Sequence, residues 1–398
     1  MWFVDGSVRE LMDFDLSEEH QLIQQTARRV AREVVAPRAA EVDAKGEYPE
    51  DYFQAFKAAD LLGITLPVEV GGSNAGTLAL TLAIEEVAKY DCSAGLMLLL
   101  SSLSTHTVKF FGTDDQKSSY IGPVARGEKK AAFCLTEPDA GSDVANLQTR
   151  ARRDGDDYVI TGQKCYISGG PNADQVVVFA KTDPTDPSSL SAFLVDTSLD
   201  GFEVTSIDRK MGVRGIPTGV LTFDEVRVPA ANIVGGNEGL GMRAPLATLN
   251  SLRPVVGARA VGLAEGALHY ALEFARERKS FGGPLINLQA IQMKFAEMAI
   301  DIEAARTLVY QGSWMIDNGR FGPEHGHMLS VAKAYATEMG NRVASEALQV
   351  LGGQGYMMDH PLERHYRDAR QLMIVEGTSE IQRLIISRAL TNRTLNYA

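Results

Sequence analysis

The chain has 398 residues, 45% of them apolar and 23% charged, which excludes wholesale disorder and leaves room for about two or three cores. Its 39 basic and 51 acidic residues give a net charge of −12, so no global field attracts nucleic acid or an anionic membrane. Three scattered cysteines (Cys92, Cys134, Cys165) supply neither a disulfide framework nor a CxxC zinc site, and a reducing compartment is expected.

The opening MWFVDGSVRE has no basic flank before an apolar stretch, so neither a secretory signal nor a transit peptide is read there and a cytoplasmic location is expected. Met12 opens MDFDLSEEH and reads as a more natural start, with the first eleven residues a loose extension. Ser17 is a predicted helix N-cap, followed by Glu18 and Glu19 where the helix dipole favours negative charge. Leu22, Ile23, Val30 and Val34 recur at helical spacing until Pro37, which is expected to end the helix. Further helices are predicted over Pro49–Leu62, Thr77–Tyr90 and Ser93–Phe111, the last stopped by Gly112. The longest apolar run, Ala94–Leu103, is too short to span a bilayer, so no membrane insertion is expected.

From Ala131 the period becomes strand-like. Tyr158–Ile160, Val176–Ala180, Ala192–Val195 and Val220–Phe223 are short β-branched or aromatic runs separated by turn residues such as Asp154-Gly155 and Asp183-Pro184. No helical pattern interrupts them, which predicts a β-sandwich or barrel and excludes a parallel βαβ sheet. Beyond Gly241 helical spacing returns, in Leu249 to Phe274 and again in Ile291 to Val309; Glu324–Leu351, Pro361–Val375 and Ser379–Leu390 supply partner helices. The division is therefore residues 12–130 helical, 131–241 β and 242–398 a helical bundle, an α+β chain that is mainly α.

Several chemistries are missing. Gly235 to Gly241 has the wrong spacing for a dinucleotide fingerprint, and there is no Walker sequence or GxSxG elbow. His325 and His327 lack neighbouring ligands, so no metal is expected.

Four stretches remain. Phe133 to Asp143 (FCLTEPDAGSD) reads either as a capped turn or as a cradle for a polar ligand. Lys164 to Gly170 sets an aromatic ring and a hydroxyl side by side at a strand end. Arg276 to Pro284 closes a long helix with basic residues, which the dipole alone would explain. Gln349 to Tyr356 precedes Ile374 to Gln382 (IVEGTSEIQ), where Glu376 lies between one helix and the next, with Ser379 and Gln382 as a predicted capping-box pair. That glutamate either favours a helix dipole or is a carboxylate aimed into a cleft.

In order and spacing, LTEPDAGSD, ERKSFG, QVLGGQGY and EGTSEIQ resemble the acyl-CoA dehydrogenase family, over essentially the whole chain from Met12. The resemblance implies an N-terminal helical domain, a central β-domain and a C-terminal four-helix bundle, with FAD bound in a homotetramer and electrons passed to electron-transfer flavoprotein. It implies that Phe133, Leu135, Thr136 and Ser142 line the flavin or its phosphates, Ser142 also reaching substrate, that Tyr166 stacks on the ring system and that Ser168 bonds near N5. Arg278, Ser280, Phe281 and Gln289 would meet the partner subunit's FAD; Gln349, Gly352 and Gly353 would take the adenosine side, and Thr378 and Glu380 would complete the cradle. Glu376 matches the base that removes the α-proton of an acyl-CoA while the β-hydrogen leaves as hydride.

Some relatives carry that base just before the arginine matching Arg253; here Leu252 stands there and cannot accept a proton. Asn250, Arg253 and Gly377 map to substrate contacts, and Asp91 is either a helix cap or a second acid near the substrate tail. Ser93–Ser104 would line the acyl pocket, and its lack of arginine argues against a dicarboxylyl-CoA. The alternatives are an oxygen-using acyl-CoA oxidase, or a nucleic-acid-associated member of the fold, which the −12 charge opposes.

Overall fold

The computed structural model describes residues 15–391, so the expectations about Met12 and the first eleven residues lie outside it. Ser17 caps α1 (Glu18–Val30), its hydroxyl accepting the His20 N–H at 3.2 Å. Pro37 does not end the helix. A π-helical turn over Ala31–Val35 runs without a break into α2 (Ala36–Lys45), and the wider turn accommodates Pro37, which has no N–H to give to the preceding carbonyls. α3 (Glu50–Ala58) and α4 (Gly76–Ala88) follow. The single helix expected over Ser93–Phe111 is two, α5 (Cys92–Leu103) and α6 (His106–Phe111). The hydroxyls of Ser104 and Thr105 fold back onto the carbonyls of Leu100 (2.8 Å) and Ser101 (2.6 Å) at the break. Two short pieces, α7 (Asp114–Gln116) and α8 (Gly122–Ala125), close this layer.

The strand zone is one curled seven-stranded sheet: β1 (Ala131–Cys134), β2 (Arg150–Asp154), β3 (Asp157–Ser168), β4 (Gln175–Lys181), β5 (Leu190–Asp196), β6 (Phe202–Ile207) and β7 (Thr218–Pro229). Its order is β1-β4-β2-β3-β7-β6, with β5 on β4, and β1 runs parallel to β4, so the sheet is mixed. Alternate residues of β4 explain its unbroken apolar run. Val177 and Phe179 face a core shared with Leu66, Val108 and Ile121 of the helical layer. Val176, Val178 and Ala180 face Tyr158, Phe193, Phe223 and Val226 of the same sheet, which encloses its own interior by curling.

The remainder is helical: α9 (Arg243–Asn250), α10 (Arg253–Glu277), α11 (Gln289–Asp317), α12 (Gly326–Val350), α13 (Leu362–Leu372) and α14 (Ser379–Thr391), with a small hairpin of β8 (Lys279–Ser280) and β9 (Gly283–Pro284) after α10. α4 lies directly on α10, because a Cβ at Gly262 or Gly266 would fall 2.2 Å from the Glu85 carbonyl or 2.0 Å from that of Lys89. Arg306 of α11 locks this contact by pairing with Glu85 and Glu265. No helix among the described residues is long and apolar enough to cross a membrane.

Candidate active site

Glu376 occupies the gap between α13 and α14. Gln371, in the last turn of α13, accepts the N–H groups of Ile374 (2.9 Å) and Val375 (3.1 Å) on its carbonyl, and the chain then turns through Glu376 at φ +53° and Gly377 at φ +90°. A side-chain-bearing residue in the left-handed region is strained and needs its surroundings to hold it. Those surroundings are Gln382, whose Nε2 donates to the carbonyls of Gly377 (2.9 Å) and Glu376 (3.4 Å), and Lys333 of α12, whose Nζ donates to the Gly377 carbonyl at 2.9 Å. The cap of α14 is Thr378, which takes the Ile381 N–H. The expected Ser379–Gln382 capping box does not form: Gln382 is drawn back to the Gly377 carbonyl, and the Ser379 hydroxyl is buried without a partner.

The Glu376 carboxyl presents one buried oxygen, Oε2, that meets no donor. Burial raises its pKa to about 7, against the opposing pull of the charges on Arg259, Lys333 and Arg253. Arg253, buried at the start of α10, donates to Ser330 Oγ (3.1 Å) and the Gly326 carbonyl (3.4 Å), while its Nε has no partner. Burial lowers its pKa to about 10 and that of Lys333 to about 8, with the Glu376 charge resisting both shifts. Asn250 stands beside Arg253: a Cβ at Gly326 would lie 3.7 Å from the Asn250 amide nitrogen and 3.8 Å from Arg253 Nη1. Asp91 caps α5. Its carboxylate accepts the Ser93 N–H at 2.7 Å and the Tyr52 hydroxyl at 3.3 Å, so its acceptors are turned to structure.

The first two stretches are stitched together in the β-domain. Leu135 offers its carbonyl to Lys164 Nζ (3.1 Å) and Thr136 offers its own to the Cys165 N–H (2.9 Å), while Lys164 pairs with Glu137 at 2.8 Å. Tyr166 sits at a bulge between β3 and β7, at φ +58°, with 70% of its surface exposed. Ser168 follows two residues on, its hydroxyl 3.5 Å from that of Thr218. Phe133 packs against Phe179, their rings 5.0 Å apart; Leu135 is buried, and Ser142 is exposed beside Gly141, which has open space where a Cβ would be. α5 bridges these parts. Its Leu100 packs near Gly169 just beyond Ser168, and its Cys92 and Gly95 meet Arg259 of α10.

Arg278, Ser280, Phe281, Gln289, Gln349, Gly352 and Gly353 are not brought to Glu376. They cluster where α10 and α12 end, and 25 residues of α10 separate Arg253 from that end, about 37 Å of helix. Phe281 is 92% exposed, and all the others but half-buried Ser280 are exposed too. Glu380 lies exposed in the first turn of α14, beside the cap at Thr378. Arg259 and Lys333 escaped the sequence reading, as did the bond of Gln382 to the Gly377 carbonyl and the pairing of Glu137 with Lys164. Arg259 and Lys333 could have been noticed as lone cations on otherwise apolar helix faces. No group of metal-ligand side chains occurs among the described residues.

Comparison with known proteins accounts for this layout. Models of the acyl-CoA dehydrogenase N-terminal, middle and C-terminal domains match residues 17–128, 132–226 and 239–391. The probable acyl-CoA dehydrogenase YngJ of Bacillus subtilis (strain 168) is 42% identical over 383 residues, covering 95% of this chain and 100% of its own. Butyryl-CoA dehydrogenase from Megasphaera elsdenii superposes with a TM-score of 0.92 at 36% identity, covering 96% of this chain and 100% of that one. A chain in the structure of the electron transferring flavoprotein of Acidaminococcus fermentans gives 0.93 at 37% identity, again over 96% and 100%. The chain belongs to the acyl-CoA dehydrogenase family, which is flavin-dependent, and is an oxidoreductase acting on CH–CH donors.

Proposed function

We propose that this chain introduces an α,β double bond into an acyl-CoA thioester, with Glu376 as the base that takes the α-proton. The carrying observation is the partnerless, buried Oε2 of Glu376 on a strained residue whose pKa is raised to about 7. An ordinary carboxylate is too weak a base for a thioester α-carbon, and burial narrows that gap. The backbone N–H of Glu376 donates to no group among the described residues and suits the thioester carbonyl as that oxygen gains negative charge. Arg253 and Lys333 add positive potential there, and Leu252, buried and apolar, offers no competing base.

FAD fits the residues present: an exposed ring at Tyr166, free hydroxyls nearby on Thr136 and Ser142, the Ser168 hydroxyl, and an open backbone at Gly141. When bound it supplies the acceptor for the β-hydrogen, which leaves as hydride. Tyr166 would lie flat against the ring system, with Phe133, Leu135, Thr136, Ser142, Ser168, Thr378 and Glu380 around the cofactor. The far-end group of Arg278, Ser280, Phe281, Gln289, Gln349, Gly352 and Gly353 would serve a partner subunit's cofactor in a homotetramer, which the exposed Phe281 ring supports. Division at 12–130, 131–241 and 242–398 goes with this reading. Electron-transfer flavoprotein is the proposed electron acceptor, on the likeness to a chain from the Acidaminococcus structure.

The test is Glu376→Gln. It should keep its flavin yet lose acyl-CoA bleaching by about a thousandfold or more, and wild-type kcat/KM should rise with pH through about 7 as the base deprotonates. A variant that bleaches at the wild-type rate would remove Glu376 from the reaction.

A further inference from the structure

Arg259 is wholly buried, at 0% exposure, yet only one of its guanidinium nitrogens is engaged. Nη2 donates to Gln371 Oε1 at 3.0 Å and, at 3.4 Å, to the carbonyl and Sγ of Cys92; Nε and Nη1 have no partner. A guanidinium has five N–H donors and no acceptor, so the N–H groups of Nε and Nη1 are left idle in the interior. Two half-buried arginines, Arg306 and Arg367, are differently provided for, whereas buried Arg364, with a bond to the Tyr90 carbonyl and an idle Nε, shares part of the pattern. Arg306 meets Glu85, Glu265 and Glu303, and Arg367 meets Asp43 and Glu363.

No carboxylate pairs with Arg259, Arg253 or Lys333 among the described residues, although all three act electrostatically on Glu376. Asp91 is turned to its cap and Asp368 accepts the Val213 N–H, so neither serves. The outcome is a set of orphans that do not satisfy one another: donors on Arg259 and Arg253, an acceptor on Glu376. Native interiors rarely leave such groups idle, and complementary ones that stay apart imply a molecule received between them.

We propose that the acyl group received here carries a second carboxylate at its tail, bound by Arg259, so that the substrate is the CoA monothioester of a saturated dicarboxylic acid. This rests on Glu376 being the base and names the substrate class for that reaction. A carboxylate is favoured over an alcohol or ketone because it supplies both the missing acceptors and the missing negative charge. The tail carboxylate takes no part in the bond changes: the α-proton goes to Glu376 and the β-hydrogen leaves as hydride. The arginine-free α5 had argued against such a substrate, but the cation comes from α10 and reaches α5 opposite Gly95, where a Cβ would lie 3.2 Å from the Arg259 side chain.

The experiment is anaerobic flavin bleaching of the holoenzyme with pairs matched in length: butyryl- against succinyl-CoA, pentanoyl- against glutaryl-CoA, hexanoyl- against adipyl-CoA. At least one carboxylated member should exceed its neutral partner in kcat/KM by about a hundredfold, and Arg259→Gln should collapse that ratio while Arg259→Lys restores part of it. Bleaching by neutral thioesters with no preference for any carboxylated partner would overturn this proposal and leave Glu376 as the base. Bleaching by no acyl-CoA at all would overturn the dehydrogenation reading itself. The wild-type ratios decide the matter even if Arg259→Gln fails to fold.

Discussion

Two buried charge clusters in this molecule are handled in opposite ways. Lys164 has no exposed side-chain surface, but its ammonium meets Glu137 and the Leu135 carbonyl, and Glu137 also takes N–H groups from Gln148 and Thr149 and the Thr149 hydroxyl. Burial pushes the Glu137 carboxyl up, but Lys164 and these donors outweigh it and hold the group below the usual range. At Glu376 the balance falls the other way: burial wins, the pKa rises to about 7, and the surrounding cations stay at a distance. Glu137 and Lys164 are buried outright, whereas Glu376 is half-buried with its Oε2 out of solvent. The first is closed and fixes a loop to a strand. The second is open, and its unmet groups are available to something that arrives from outside.

Removing one charge from the closed cluster should therefore cost the most stability. Lys164→Met leaves Glu137 buried without its cation, and unfolding in urea should show a loss of about 3–5 kcal/mol. Adding Glu137→Gln should recover a large part of that loss, since the penalty is the stranded charge rather than the missing pair. A small effect of the single change would mean that water reaches the pair.

The open cluster should respond with the opposite sign. A carboxyl whose folded pKa lies above its unfolded value contributes stability that is complete below about 4.5 and is lost as pH rises through about 7. Glu376→Gln removes that loss, so at pH 8 the variant should be more stable than wild type by on the order of 2 kcal/mol, with no gain at pH 4. Asp368 is also raised to about 7, by burial first and then by Asp91, and keeps part of the pH slope in the variant. Thermal melts across this range check the sign directly.

The sequence exposes the open cluster only at its centre. Glu376 shows because it interrupts two helical patterns and is followed by Gly377, a local signal. Arg259 and Lys333 read as single cations on apolar faces, and what such a cation meets depends on long-range packing: Arg259 of α10 meets Cys92 of α5 across 167 positions, and Lys333 of α12 meets the Gly377 carbonyl across 44. The layers themselves were legible because period 2 and period 3.6 alternate in long blocks. Local exceptions were not: Pro37 passes inside a helix because a π-turn prepares its place, and α5 parts from α6 where hydroxyls compete with the backbone. β2 and β6 went unnoticed because their side chains are largely exposed and form no apolar run.

Lys333 sharpens the comparison with the smallest stability effect. Like Lys164 it is completely buried, but its one bond is to the Gly377 carbonyl, and burial lowers its pKa to about 8. Replacing it with methionine relieves a desolvated charge and gives up one hydrogen bond to a carbonyl that Gln382 also serves, so the two terms nearly cancel, within about 1 kcal/mol. Activity should be less forgiving. With one cation gone, the Glu376 carboxyl is held less firmly in its ionised form, and the acid limb of the kcat/KM profile should move to higher pH. A lysine whose loss destabilises as severely as that of Lys164, with an unmoved profile, would belong to the closed kind of cluster.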